Sequence, residues 1–129
     1  MKYNTALPYF PEEDIEYIIK EFRKLLAGEG LLSMGKYVQE FEKNFANYIG
    51  VEYAIATTSC TSALETILAA SGIGEGDEVI VPSQTFIATA SAVIQKGAKP
   101  VFAEINNLFL LDFENMKSKI TEKTKAVIF

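Results

Sequence analysis

The chain has 129 residues, 49% of them hydrophobic and 22% charged, and a formal net charge of -5 at pH 7. A chain of this size can bury one core, and an acidic balance without a Lys/Arg cluster points away from nucleic acid and from anionic membranes as partners. The single cysteine, Cys60, excludes an intrachain disulfide, and the absence of histidine removes Cys–His nucleophile pairs and histidine metal sites, so no metal is expected. The apolar runs are of strand length, too short for a bilayer. The opening Met1-Lys-Tyr-Asn-Thr5 lacks the apolar core of a signal peptide, which predicts a cytoplasmic protein.

In chain order, Pro11-Glu-Glu-Asp14 opens a helix with acids at the positive end of its dipole. Ile15, Ile18, Ile19, Phe22, Leu25 and Leu26 form one apolar stripe at helical spacing, and Gly28 can close the helix. The stretch Gly28-Glu-Gly-Leu-Leu-Ser-Met34 is a loop with turn glycines, ended by Gly35. A second helix carries Val38, Phe41, Phe45 and Tyr48 on one face and stops at Gly50. Strands are expected at 53–57, 78–81, 100–104 and 125–129, with helices near 61–71, 85–96 and 113–120 between them. That alternation predicts an α/β fold with a mostly parallel sheet, flanking helices and right-handed crossovers. The domain reading is a helical segment at 1–50 followed by an α/β domain beginning at 51–129.

Two of the predicted turns are rich in hydroxyl side chains, Thr57-Thr-Ser-Cys-Thr-Ser62 and Ser83-Gln-Thr85. Both should lie at the carboxyl end of the sheet, where free N–H groups at helix starts converge on anions, and a phosphate is the expected guest. A plain structural reading stands beside it. Ser62-Ala-Leu-Glu65 has the spacing of a capping box, which needs no ligand. Phe86 is open in the same way: on a helix that also shows Ala90, Val93 and Ile94, an aromatic in the first turn is more often core than ligand platform.

The motifs Ser59-Cys-Thr-Ser-Ala-Leu64, Gly76-Asp-Glu-Val-Ile80, Pro82-Ser-Gln-Thr-Phe-Ile-Ala-Thr89 and Gly97-Ala-Lys-Pro-Val-Phe102 resemble the DegT/DnrJ/EryC1/StrS family of sugar aminotransferases, which depend on pyridoxal phosphate. Met34-Gly-Lys-Tyr-Val-Gln-Glu-Phe-Glu42, Phe45-Ala46 and Tyr48-Ile-Gly50 extend the likeness upstream in the same order. The resemblance implies the opening part of a fold-type-I large domain, incomplete at the carboxyl terminus, and transfer of an amino group from an amino acid such as glutamate to a keto-sugar nucleotide. It implies pyridoxal 5′-phosphate as cofactor, with the amides at Thr61 and Ser62 on its phosphate and Phe86 flat on its ring. Cys60 replaces the small residue usual beside them, and a β-carbon there would be costly if the position required φ > 0. Met34 and Gly35 are implied on the sugar-nucleotide side, and a homo-oligomer is implied for the assembly.

Catalysis also needs a lysine that bonds to the cofactor and moves a proton, and an acid paired with the ring nitrogen. In the resembling family both lie in motifs matched by nothing before Phe129, so no catalytic residue is assigned. Lys96, Lys99, Lys123 and Lys125 sit at element ends in a charged context, and Glu104, Asp112 and Glu114 lie in the wrong motif. Lys125-Ala-Val-Ile-Phe129 reads as a buried strand with nothing after it to cover the sheet, which predicts exposed apolar surface and a shortened or split product over a self-contained domain. A sugar dehydratase relative, half of a two-chain enzyme, a non-catalytic phosphate or nucleotide-sugar binding module and a remnant without function stay open as alternatives.

Overall fold

The computed structural model describes residues 8–129, which fall into two compact units, one ending at Ala56 and the other running from Thr57 to Phe129. Residues 51–56 fall within the first of these units.

The first unit holds α1 (Glu12–Leu26) and α2 (Lys36–Ile49). Glu12, Glu13 and Asp14 occupy the first turn of α1 and Arg23 and Lys24 the last, each facing the favourable end of the dipole. Its end is tied by the N–H groups of Gly28 and Glu29, which donate to the carbonyls of Leu25 and Lys24 at 3.1 and 2.9 Å, with Gly28 at φ +88°. The apolar stripe forms as expected, but α1 buries none of its residues. Helix α2 stops at Gly50 in the left-handed region and buries only Ala46. Residues 53–57 form no strand. An extended segment becomes a strand only when a neighbour takes its backbone groups, and here the Ala56 N–H donates to the Glu42 carboxylate at 2.9 Å instead.

The second unit contains α3 (Cys60–Ala70), β1 (Glu78–Pro82), α4 (Ile87–Gln95), β2 (Lys99–Ala103), α5 (Phe113–Ser118) and β3 (Thr124–Val127). The three strands are parallel in the order β2-β1-β3. The steps β1→β2 and β2→β3 thus cross the sheet in opposite directions, so right-handed connections put α4 and α5 on opposite faces. Packing agrees. Val79 and Val81 point to the face covered by Leu68 of α3 and by Ala92 and Val93 of α4. On the other face Pro82 and Val127 line a space shared with Phe113 and Met116 of α5. Val79, Ile80 and Val81 are fully buried, as a central parallel strand requires. The last strand is shorter and less buried than its sequence suggested: β3 ends at Val127 in a half-buried state, and Phe129 is 98% exposed.

Candidate functional site

Helix α3 runs from the carboxyl end of the sheet toward its amino end, because Ser71–Asp77 leads directly into the start of β1. Helix α4 follows β1 and runs the same way, so both helix N-termini open at the carboxyl end, where α/β sheets bind ligands. The α3 start is a hydroxyl cluster. Ser59, in extended backbone, is the N-cap, and its Oγ accepts the Ser62 N–H at 3.1 Å. The Thr58 and Ser59 hydroxyls each lie 3.0 Å from the Ser62 hydroxyl, and Thr57 Oγ1 donates to the Ser59 carbonyl at 2.9 Å.

The cap is therefore Ser59, one turn earlier than the capping box read at Ser62-Ala-Leu-Glu65. Ser62 takes the third helical position, where its own N–H is the one a cap satisfies. Ala63 N–H donates to the Ser59 carbonyl at 3.0 Å, while the N–H groups of Cys60 and Thr61 have no partner among the described residues. No acidic side chain lies in the first turn to oppose an anion. Cys60 occupies the first helical position and is exposed, and it is not among the residues with positive φ, so its β-carbon causes no strain.

Phe86 is the N-cap residue of α4, outside the helix proper, and is 76% exposed. The core reading for this ring does not hold: the helix buries Ala88, Thr89, Ala90, Ala92 and Val93 and leaves Phe86 at the carboxyl end of β1. Thr85 and Thr89 hydroxyls pair at 2.9 Å beside it. Beyond Pro82, Gln84 and Thr85 lies a mostly apolar cavity of about 630 Å³ walled by Phe109, Phe113 and Met116. The sequence reading missed the hairpin that closes this cavity. Asn106 Oδ1 accepts the N–H groups of Leu108 and Leu110 at 2.8 and 3.2 Å, and Phe109 is held at φ +61°. The pair Asn106-Asn107 was the available signal, since Asn bonds its own turn and tolerates positive φ.

Met34 and Gly35 lie in the first unit, at the entrance to α2. Met34 is 83% exposed with φ +53°, unusual for a residue with a side chain. Gly35 is the N-cap of α2, and a Cβ there would come within 2.5 Å of the Leu31 carbonyl oxygen. None of the lysines weighed in the sequence lies near the α3 and α4 starts. Lys96 ends α4, Lys99 begins β2, Lys123 precedes β3 and Lys125 is the second residue of β3, which puts all four toward the amino end of the sheet. Among the described residues no group of His, Cys, Asp or Glu is arranged to hold a metal, and no helix is long and apolar enough to cross a membrane.

The sequence model of the DegT/DnrJ/EryC1/StrS aminotransferase family matches residues 12–129. The chain belongs to that family. GDP-perosamine synthase of Caulobacter vibrioides is 48% identical over 126 residues, which cover 97% of this chain and 33% of that protein. The aminotransferase from Psychrobacter cryohalolentis superposes with a TM-score of 0.83 at 35% identity, over 95% of this chain and 31% of that one. NtdA from Bacillus subtilis, solved with bound cofactor PMP, gives a TM-score of 0.83 at 32% identity, over 98% of this chain and 30% of that one. The DegT/DnrJ/EryC1/StrS chain described here thus spans about a third of the length of the relatives it matches. The family uses pyridoxal phosphate, and the fold is the α/β architecture of its members.

Proposed function

We propose that this chain supplies the phosphate- and ring-holding part of a pyridoxal-phosphate-dependent aminotransferase that moves an amino group from an amino acid to a keto-sugar nucleotide. The observation that carries the reading is the pair of unspent donors at the start of α3, in a first turn free of acids, in the same unit as an exposed aromatic at the start of α4. These residues fit the cofactor. The Thr61 N–H would donate to a phosphate oxygen, helped by the positive end of the helix dipole. Ser62 would contribute its hydroxyl, with its N–H shared between Ser59 and the anion, and Cys60 would flank the phosphate with its own free N–H. The exposed face of Phe86 would support the ring, an arrangement worth about 0.5–1.5 kcal/mol beyond burial. When bound, pyridoxal phosphate supplies an electron sink for amino transfer. The proton-moving lysine and the acid that faces the ring nitrogen are assigned to no residue of this chain. Met34 and Gly35 are proposed on the sugar-nucleotide side, the complete enzyme as a homo-oligomer, and its compartment as the cytoplasm.

The test is a titration with pyridoxamine 5′-phosphate followed by amide NMR, with pyridoxamine as the control lacking phosphate. The Thr61 amide and the Phe86 ring should shift with the phosphorylated compound only. Thr61→Pro, tolerable in a first helical turn, should weaken binding by more than the roughly 1 kcal/mol of a neutral hydrogen bond because the acceptor is charged. Phe86→Ala should lose the ring effect and keep the phosphate effect. Unchanged affinity in both folded variants would reduce these turns to caps. Turnover of a keto-sugar nucleotide by the 129-residue chain alone is expected to be absent, and measurable turnover would overturn the assignment of the lysine and acid outside it.

A further inference from the structure

We propose that Glu21 and Tyr37 are positioning residues that hold the turn leading into α2, with Met34 in the left-handed region and Gly35 extended after it. Between α1 and α2 the backbone turns through positive φ at Gly28 (88°), Gly30 (146°) and Met34 (53°). A methionine rests in that region only when its surroundings over-determine it. The loop does not hold itself: the N–H groups of residues 30–34 find no partner in the described residues. It is held at its ends. The amino end is closed by the Gly28 and Glu29 N–H groups on the carbonyls of Leu25 and Lys24. At the other end the Tyr37 hydroxyl, in the first turn of α2, donates to Glu21 Oε2 in α1, sixteen residues back.

This is the one side-chain hydrogen bond that joins the two helices among the described residues. Its acceptor is itself fixed, because Lys24 Nζ donates to the other Glu21 oxygen. Tyr37 is fixed from its own side as well: the Lys36 ammonium stands 4.8 Å from its ring centroid, and the ring borders a small apolar space of about 210 Å³ with Ile18, Phe22 and Leu25. Gly35 then leaves the chain one path into α2, since it passes too close to the Leu31 carbonyl for any Cβ. Tyr37 lies two residues after Gly35, so its anchor sets the backbone that Met34 must enter. The result is a preformed turn that presents Met34, with Leu31 and Leu32 also exposed at 69% and 73%, without ordering a loop at the moment of binding.

The role of the turn rests on the sugar-nucleotide reading of Met34 and Gly35, but the positioning itself can be tested without any ligand. Thermolysin cleavage at Leu31-Leu32 should be about tenfold faster in Tyr37→Phe, which keeps the ring and its packing and removes only the hydroxyl. Glu21→Gln retains an acceptor for the tyrosine and should stay within about twofold of wild type, with far-ultraviolet circular dichroism unchanged in both. Equal cleavage of wild type and Tyr37→Phe, or faster cleavage spread evenly over α1 and α2, would overturn the proposal. Titration of the wild-type chain with UDP-glucose, read at the Met34 methyl signal, is the separate measurement. A silent methyl with a Tyr37→Phe loop that still opens leaves the positioning standing and removes the substrate assignment.

Discussion

Ser59 caps α3 through its hydroxyl, and the same hydroxyl stands where an anion would approach the helix start. Two substitutions separate these roles. Ser59→Ala should cost about 1 kcal/mol of stability in urea unfolding, because the Ser62 N–H loses its partner. Ser59→Asp should keep the cap and hold stability within a few tenths of a kcal/mol, yet place a negative charge against the phosphate and weaken pyridoxamine 5′-phosphate binding. If Asp binds the cofactor as well as Ser does, the phosphate does not sit at this helix start. Cys60 carries a different lesson. Its β-carbon is harmless because the position is ordinary helix, and the non-glycine residues held at positive φ among those described are Met34 and Phe109.

At the level of elements, β1 is the pillar of the second unit, buried on both faces and paired on both edges. Its first residue, Glu78, is a buried carboxylate and so needs partners. The Thr121 hydroxyl donates to Oε2 at 2.7 Å and Lys99 Nζ to Oε1 at 3.0 Å, tying β1 to β2 and to the turn before β3. These bonds, Thr121 first and Lys99 second, hold its pKa below the ordinary 4.5. A carboxylate with a depressed folded-state pKa contributes stability that is present above its unfolded value and lost as pH falls through the folded one. The urea midpoint should therefore decline as pH drops below about 4.5. In Glu78→Gln the decline over that window should be shallower. An identical acid limb in the two proteins would mean that Glu78 does not couple to folding.

For the whole molecule the dominant fact is apolar surface that the described chain leaves in water. Phe22, Phe41, Ile87, Leu108 and Phe113 are all more than half exposed, on both units. Monomers rarely leave extended apolar patches uncovered, and β3 and β2 are open sheet edges besides. Sedimentation velocity of the 129-residue chain should show association that grows with concentration. A monomer at high concentration with a single cooperative unfolding transition would mark a self-contained domain instead.

Apart from the strand expected at 53–57, sequence alone determined the order of helices and strands from α1 to β3, because apolar spacing, turn glycines and β-branched runs are local signals that the tertiary structure left standing. It also determined the family, since Ser59-Cys-Thr-Ser62 and Pro82-Ser-Gln-Thr-Phe86 are contiguous motifs. What only the tertiary structure decided were questions of partnership. Residues 53–57 have the composition of a strand, but pairing is a property of two segments, and no described strand takes up their backbone groups. Phe86 fits a helical core pattern by spacing, yet its exposure was settled by α4 starting one residue later than its side chain. The Tyr37–Glu21 bond joins residues sixteen apart through side chains, and no periodicity encodes such a contact because it depends on how two helices meet.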